Sequence, residues 1–176
     1  CLLAAVALMV AATGTTDLSA ILASPEWHAH PGRTGVVATL VAVAAFTKAA
    51  QFPFHGWLPD AMVASTPVSA YLHAAAMVKA ALYLLLRFTT LFHDVAIWNV
   101  LLVGVGLWTA IYGAVLALQR HDLKELLAYS TISQLGLLVA TIGLGTAYAV
   151  IAAIAHVLAH AVFKSGLFMA VGLIDH

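Results

Sequence analysis

The sequence predicts an all-α fold, a polytopic transmembrane helix bundle of about six spans with one helix broken by prolines. Three observations predict it. Hydrophobic residues make up 64% of the 176, where about half is usual for a soluble domain. Charged residues are only 8%, and mean hydropathy is +1.04. Apolar runs near the roughly 20 residues needed to cross a bilayer alternate with short segments rich in Pro, Gly and charge.

The first run extends from Cys1 to about Ala12. It lacks an initiator Met, a basic leader and a cleavage site, so it reads as part of a span rather than a signal peptide. Residues 1–176 are expected to be one transmembrane region, a fragment of a longer protein. Residues 14–34 carry Asp17, Glu26, Trp27, His28, His30, Pro31, Gly32 and Arg33, which suits a loop at the membrane–water interface. A second span starts near Gly35 and stays apolar up to Lys48. Pro53 and Pro59 follow, with His55 between them; each proline removes a backbone donor and disfavours a continuous helix. Pro67 opens the third run, Val68 to Arg87. The remaining spans run from about Val95 to Leu118, Leu126 to about Gly143 and Tyr148 to about Gly172. Arg120 and Lys124 lie together in one short loop, which places that loop on the cytoplasmic side. Alternation then puts 14–34 and 88–94 outside and 60–66 inside.

The net charge of zero gives no sign of nucleic-acid binding. One cysteine, Cys1, excludes an internal disulfide and a cysteine-based metal or iron–sulfur site. There is no nucleotide loop and no nucleophile–base pair, so no catalytic residue and no cofactor are expected.

Ionisable groups inside the apolar runs point to function. Lys48, His73, Lys79, His156, His160 and Lys164 all lie within or at the edge of predicted spans. A charge at the bilayer centre costs about 2.5 kcal/mol or more, and such groups mark ion or proton paths by default. Lys79 lies about 17 Å along the run that begins at Val68, too deep for easy snorkelling. Lys48 either borders a broken helix or ends its span and snorkels to the interface. His73 is about 120° around the helix from Lys79, and a core histidine bonded to a carbonyl is its bland alternative. His156, His160 and Lys164 step by four residues, a slanting stripe spanning about 12 Å. The histidine pair could hold a metal, but no carboxylate lies nearby in sequence, so none is expected. Lys164 lies about 6 Å beyond His160, toward the inner end of the helix, where water is expected to reach it. His55 either lines the break or caps freed carbonyls; Ser69, Thr131, Ser133 and Gln134 either hydrogen-bond between helices and hold water or, as the first expectation, pack.

The residues from Phe46 to Lys79, from Asp122 to Gly136 and from His156 to Met169 closely resemble one family's core. That family is the proton-translocating, antiporter-like membrane subunits. It includes the large subunits of Mrp-type sodium/proton antiporters and the homologous subunits of respiratory NADH:quinone oxidoreductase. The resemblance covers residues 36–176. It implies a many-helix bundle with a half-channel at a broken helix. It implies that Lys48 pairs with a glutamate on an earlier helix, which would precede Cys1. It implies that Lys79 is a relay between half-channels, that His73 matches a histidine of some subtypes, and that His156, His160 and Lys164 form a later relay. The implied function is proton or cation/proton translocation within a multisubunit sodium/proton antiporter of a bacterial cell membrane. Other membrane subunits would be partners; protons, with sodium left open, would be the cargo. The alternative is a proton-pumping subunit of NADH:quinone oxidoreductase or of a related membrane-bound hydrogenase, and only there would the chain belong to an enzyme. The Met77–Ala80 stretch and the closing Asp175–His176 pair lean toward the antiporter branch.

Overall fold

The computed structural model describes residues 1–63 and 77–174. Helix α1 spans Leu2–Thr13 and stops at Gly14, whose φ of 69° is left-handed, so that its N–H reaches the Val10 carbonyl. Helices α2 (Leu18–Leu22) and α3 (Glu26–Ala29) follow, bent by 76° from α1. Residues 14–34, expected as a loop, thus contain two short helices. Their order has local causes. Asp17 caps α2 by accepting from the Ser19 N–H. The Trp27 indole N–H donates to the Ile21 carbonyl at 2.7 Å, tying α3 to α2.

Helix α4 spans Pro31–Lys48, four residues earlier than the expected start. Proline suits a first turn because its missing N–H has no partner there anyway. After a non-helical stretch come α5 (Trp57–Asp60) and a 3₁₀ turn, Ala61–Val63. Helix α6 spans Met77–Phe92 and runs past Arg87, so most of the expected 88–94 loop is helical. Helices α7 (Ala96–Leu118), α8 (Leu123–Gly143) and α9 (Ala147–Ile174) complete the chain. Asp122 caps α8 through the Lys124 and Glu125 N–H groups. Helices α7, α8 and α9 are each long and apolar enough to cross a membrane, and the bent α1–α3 pair adds a fourth candidate. Helices α4 and α6 are shorter, at 18 and 16 residues, and complete the approximately six-span reading.

Helix α8 is the hub: it packs against α7, α9, α6 and α5. Its neighbour α7 approaches unusually closely. A Cβ added at Gly136 would lie 2.6 Å from the Ala110 nitrogen and the Gly106 oxygen. A Cβ at Gly106 or Gly113 would meet the α8 backbone at 2.6 and 2.7 Å. Small residues thus bring two backbones into contact, a common device of membrane helices. The Ser133 hydroxyl, on the same face, donates to the Ala110 carbonyl at 2.8 Å. By contrast α9 turns most of its surface outward, with Ile151, Leu158, Val162 and Leu173 exposed. An apolar exterior suits a lipid or protein surround, so the bundle is an integral membrane protein.

The two ends of the bundle are distinct. Trp27, Pro31, Leu91, Asp94 and Val95 share a cavity at one end. Asp60 and Met62 share another with Arg120–Glu125 at the opposite end of α7. This pairing of 14–34 with 88–94, and of 60–63 with 120–125, follows the expected alternation.

Candidate functional site

Helix α8 positions the polar groups that face α9. Its Leu127 carbonyl, Ser130 and Gln134 lie on successive turns. Helix α9 runs antiparallel and presents Ala149, Ala153, His160, Lys164 and Phe168 as its buried stripe.

His156 is half-buried, and its Nε2 lies 2.9 Å from the Gln134 Oε1. An amide oxygen only accepts, so this contact is a hydrogen bond when Nε2 carries the proton. His160 is wholly buried, and neither ring nitrogen has a hydrogen-bond partner among the described residues. Its ring meets Phe163 edge-on. Its charged or protonatable neighbours are Lys79, Lys164 and His156. Lys164 is 2% exposed and donates to the Leu127 carbonyl at 3.3 Å and to the Ser130 hydroxyl. Ser130 in turn donates to the Leu127 carbonyl at 3.0 Å. Water was expected to reach Lys164. Instead Lys164 is buried, as is Phe168 one turn further along α9.

Lys79 lies in the first turn of the described part of α6 and is half-buried. Helices α6 and α9 both lie against α8, and between them runs an apolar groove of about 520 Å3. Lys79 lines this groove opposite Val150, Ile154 and Val157. The structure therefore sets Lys79, His156 and Lys164, from two helices, within electrostatic range of one buried imidazole, that of His160. Sealed polar atoms without a protein partner are uncommon in a packed interior and need a reason beyond packing.

Lys48 is not part of this cluster. It is exposed in the last turn of α4. Helix geometry stops there, and Ala50 takes a left-handed φ of 49°. Gln51 is buried, and its amide donates to the Ala49 carbonyl. The segment is pinned to α7: the Phe52 N–H donates to Thr109 Oγ1 at 3.0 Å, and Phe52 meets Trp108 and Tyr112 edge-on. His55 stacks on Phe52 and touches Tyr112, with ring centroids 4.9 Å apart. Pro53 is exposed, and Pro59 lies inside the short helix α5. His73 lies outside the described residues, as do Asp175 and His176.

Of the two roles the sequence allows Gln134, packing and hydrogen bonding between helices, the structure shows the second, with His156 as partner. Ser130 and Thr109 carried no separate signal. A polar residue in an apolar helix, four residues from a serine, was the available hint for Gln134.

A family model described as "NADH:quinone oxidoreductase/Mrp antiporter, TM" matches residues 1–176. The chain belongs to this family. It is 50% identical over 163 residues to a protein of Rhizobium meliloti named as a probable K(+)/H(+) antiporter subunit, covering 93% of this chain and 16% of that one. It is 45% identical over 183 residues to a Na(+)/H(+) antiporter subunit of Alkalihalophilus pseudofirmus, covering 96% and 23%. Among solved structures, a chain of the Mrp complex from Dietzia sp. DQ12-45-1b matches with a TM-score of 0.97 and 68% identity, over 99% of this chain and 19% of that one. The chain thus spans roughly a fifth of the length of these relatives.

Proposed function

We propose that this chain is part of the large subunit of a multisubunit cation/proton antiporter and that it carries protons through a relay of buried lysine and histidine side chains. Residues 1–176 are then one transmembrane region of that subunit, and residues 36–176 hold the family's core. One observation carries the reading: His160 is sealed in the bundle with Lys79, Lys164 and His156 as its charged or protonatable neighbours. A neutral imidazole can accept at one nitrogen and donate at the other. A lysine can give up and regain a proton, and a change of charge on one such group alters the proton affinity of the next through a low-dielectric interior. Lys48, at the end of α4, and His73 are proposed as further members, with Pro53 and His55 in the break beside Lys48 and Pro59 in the short helix that follows it.

The similarity to antiporter subunits favours cation exchange over the alternative, a proton-pumping subunit of NADH:quinone oxidoreductase or a related hydrogenase. One relative's name gives potassium and the other's sodium, so the cation is assigned here only as monovalent. Other membrane subunits are the proposed partners, and a bacterial cell membrane is the proposed location.

The test is pH-gradient dissipation in inverted vesicles containing the assembled complex. Lys79→Ala is expected to abolish proton-coupled transport while assembly survives. Lys79→Arg is expected to fail as well, because a guanidinium stays protonated. Wild-type transport by Lys79→Ala at normal expression would make the lysine structural and refute the relay.

A further inference from the structure

At the end of the bundle that carries the Arg120–Glu125 loop, a polar cleft of about 570 Å3 opens between two elements. Asp60 and Met62 line one wall; Arg120, Glu125 and Tyr129 line the other. The second wall is held together by its own contacts. Arg120 Nη1 lies 3.3 Å from a Glu125 carboxylate oxygen, and its guanidinium sits 4.7 Å over the Tyr129 ring.

Beside this cleft lies a small apolar cluster, separate from the main core, made of Met62, Leu127, Ala128 and Phe168. Two of its members belong to two environments at once. Met62 also lines the polar cleft. Leu127 also offers the carbonyl that holds Lys164. The order in space is therefore cleft, Met62, apolar cluster, Leu127 and Lys164. Phe168 sits one helical turn from Lys164 on the same buried stripe of α9. Lys164 itself does not line the cleft.

We propose that this cleft is the aqueous vestibule from which Lys164 exchanges protons, and that Met62 and Phe168 form the apolar gate between them. The inference rests on the relay reading above, since a vestibule serves Lys164 only if that lysine moves protons. Its physical basis is the behaviour of apolar constrictions, which exclude water until they widen. A polar cleft on one side and a bonded ammonium on the other give water partners at both ends once the gap opens. Of the gate residues, Phe168 contributes the larger side chain, so it sets the barrier.

The experiment measures access directly. The complete complex is prepared without other cysteines, Cys1 included, and Ser130→Cys is introduced as a reporter beside Lys164. A membrane-impermeant methanethiosulfonate is applied to vesicles from the face that carries the Arg120–Glu125 loop. Ser130→Cys alone is expected to react slowly. Adding Phe168→Ala is expected to raise the rate about tenfold or more, because labelling follows the population of open, wetted forms. Phe168→Leu is expected to give a smaller increase, and Phe168→Trp none. An unchanged rate in an assembled Phe168→Ala complex overturns the gate. Should Phe168→Ala fail to assemble, an unchanged rate for Phe168→Leu overturns it instead. Labelling and transport separate the two ideas: faster labelling by Phe168→Ala alongside full transport by Lys79→Ala would leave the gate standing and remove the relay.

Discussion

Gly136→Ala is expected to destabilise the protein even though alanine is the better helix former. In an open helix position the change from glycine to alanine gains up to about 1 kcal/mol. Gly104, on α7, is such a position, with nothing within 4 Å of an added Cβ. At Gly136 the new Cβ would lie 2.6 Å from the Ala110 nitrogen and the Gly106 oxygen, and 3.0 Å from the Ala110 Cα. These are backbone atoms, so no side chain can swing away; the two helices must separate. Ordinary contact requires roughly another 1 Å, and overpacking of this kind costs about 1–3 kcal/mol. The separation also lengthens the Ser133–Ala110 hydrogen bond, now 2.8 Å. The two identical substitutions should therefore differ by about 1–3 kcal/mol, Gly136→Ala being the less stable. The assay is thermal unfolding of the purified complex in one detergent, comparing Gly104→Ala, Gly136→Ala and the parent. Equal midpoints for the two variants would refute the argument that backbone contact fixes α8 against α7. Function should follow, because α8 carries Ser130 and Gln134.

Lys164→Met keeps an unbranched side chain of similar length but removes the ammonium. It is expected to unfold within about 1 kcal/mol of the parent while losing proton-coupled transport. Transport by that variant at the parental rate would show that the bonds to Leu127 and Ser130 are structural alone. Gln134→Leu removes the acceptor for His156 at 2.9 Å, a hydrogen bond worth about 1 kcal/mol. Its expected signature is a slower transport rate with assembly retained and a shift in the imidazole resonances of His156. An unmoved His156 signal would mean that the ring is oriented by other contacts.

The sequence by itself determined that the chain lives in a membrane, roughly where most helices run and which residues break the apolar pattern. Those conclusions depend on hydropathy and spacing along the chain, which are local properties. That the helix fails near Gln51 was legible for the same reason, since prolines act on nearby backbone; it ends three residues earlier, at Lys48. The sequence mistook the 14–34 segment for a loop because its helices depend on specific bonds, such as the Trp27 indole to Ile21. The tertiary structure alone decided the burial of Lys164 and the pairing of His156 with Gln134. It also decided that His160 lies beyond reach of any described hydrogen-bond partner. A stripe of ionisable groups states which face of α9 they share, but not what stands opposite. That depends on how closely α8 and α9 approach, and on α7 locking α8 in place through backbone contact at Gly106, Gly113 and Gly136. Such contacts join residues distant in sequence, and hydropathy carries no term for them.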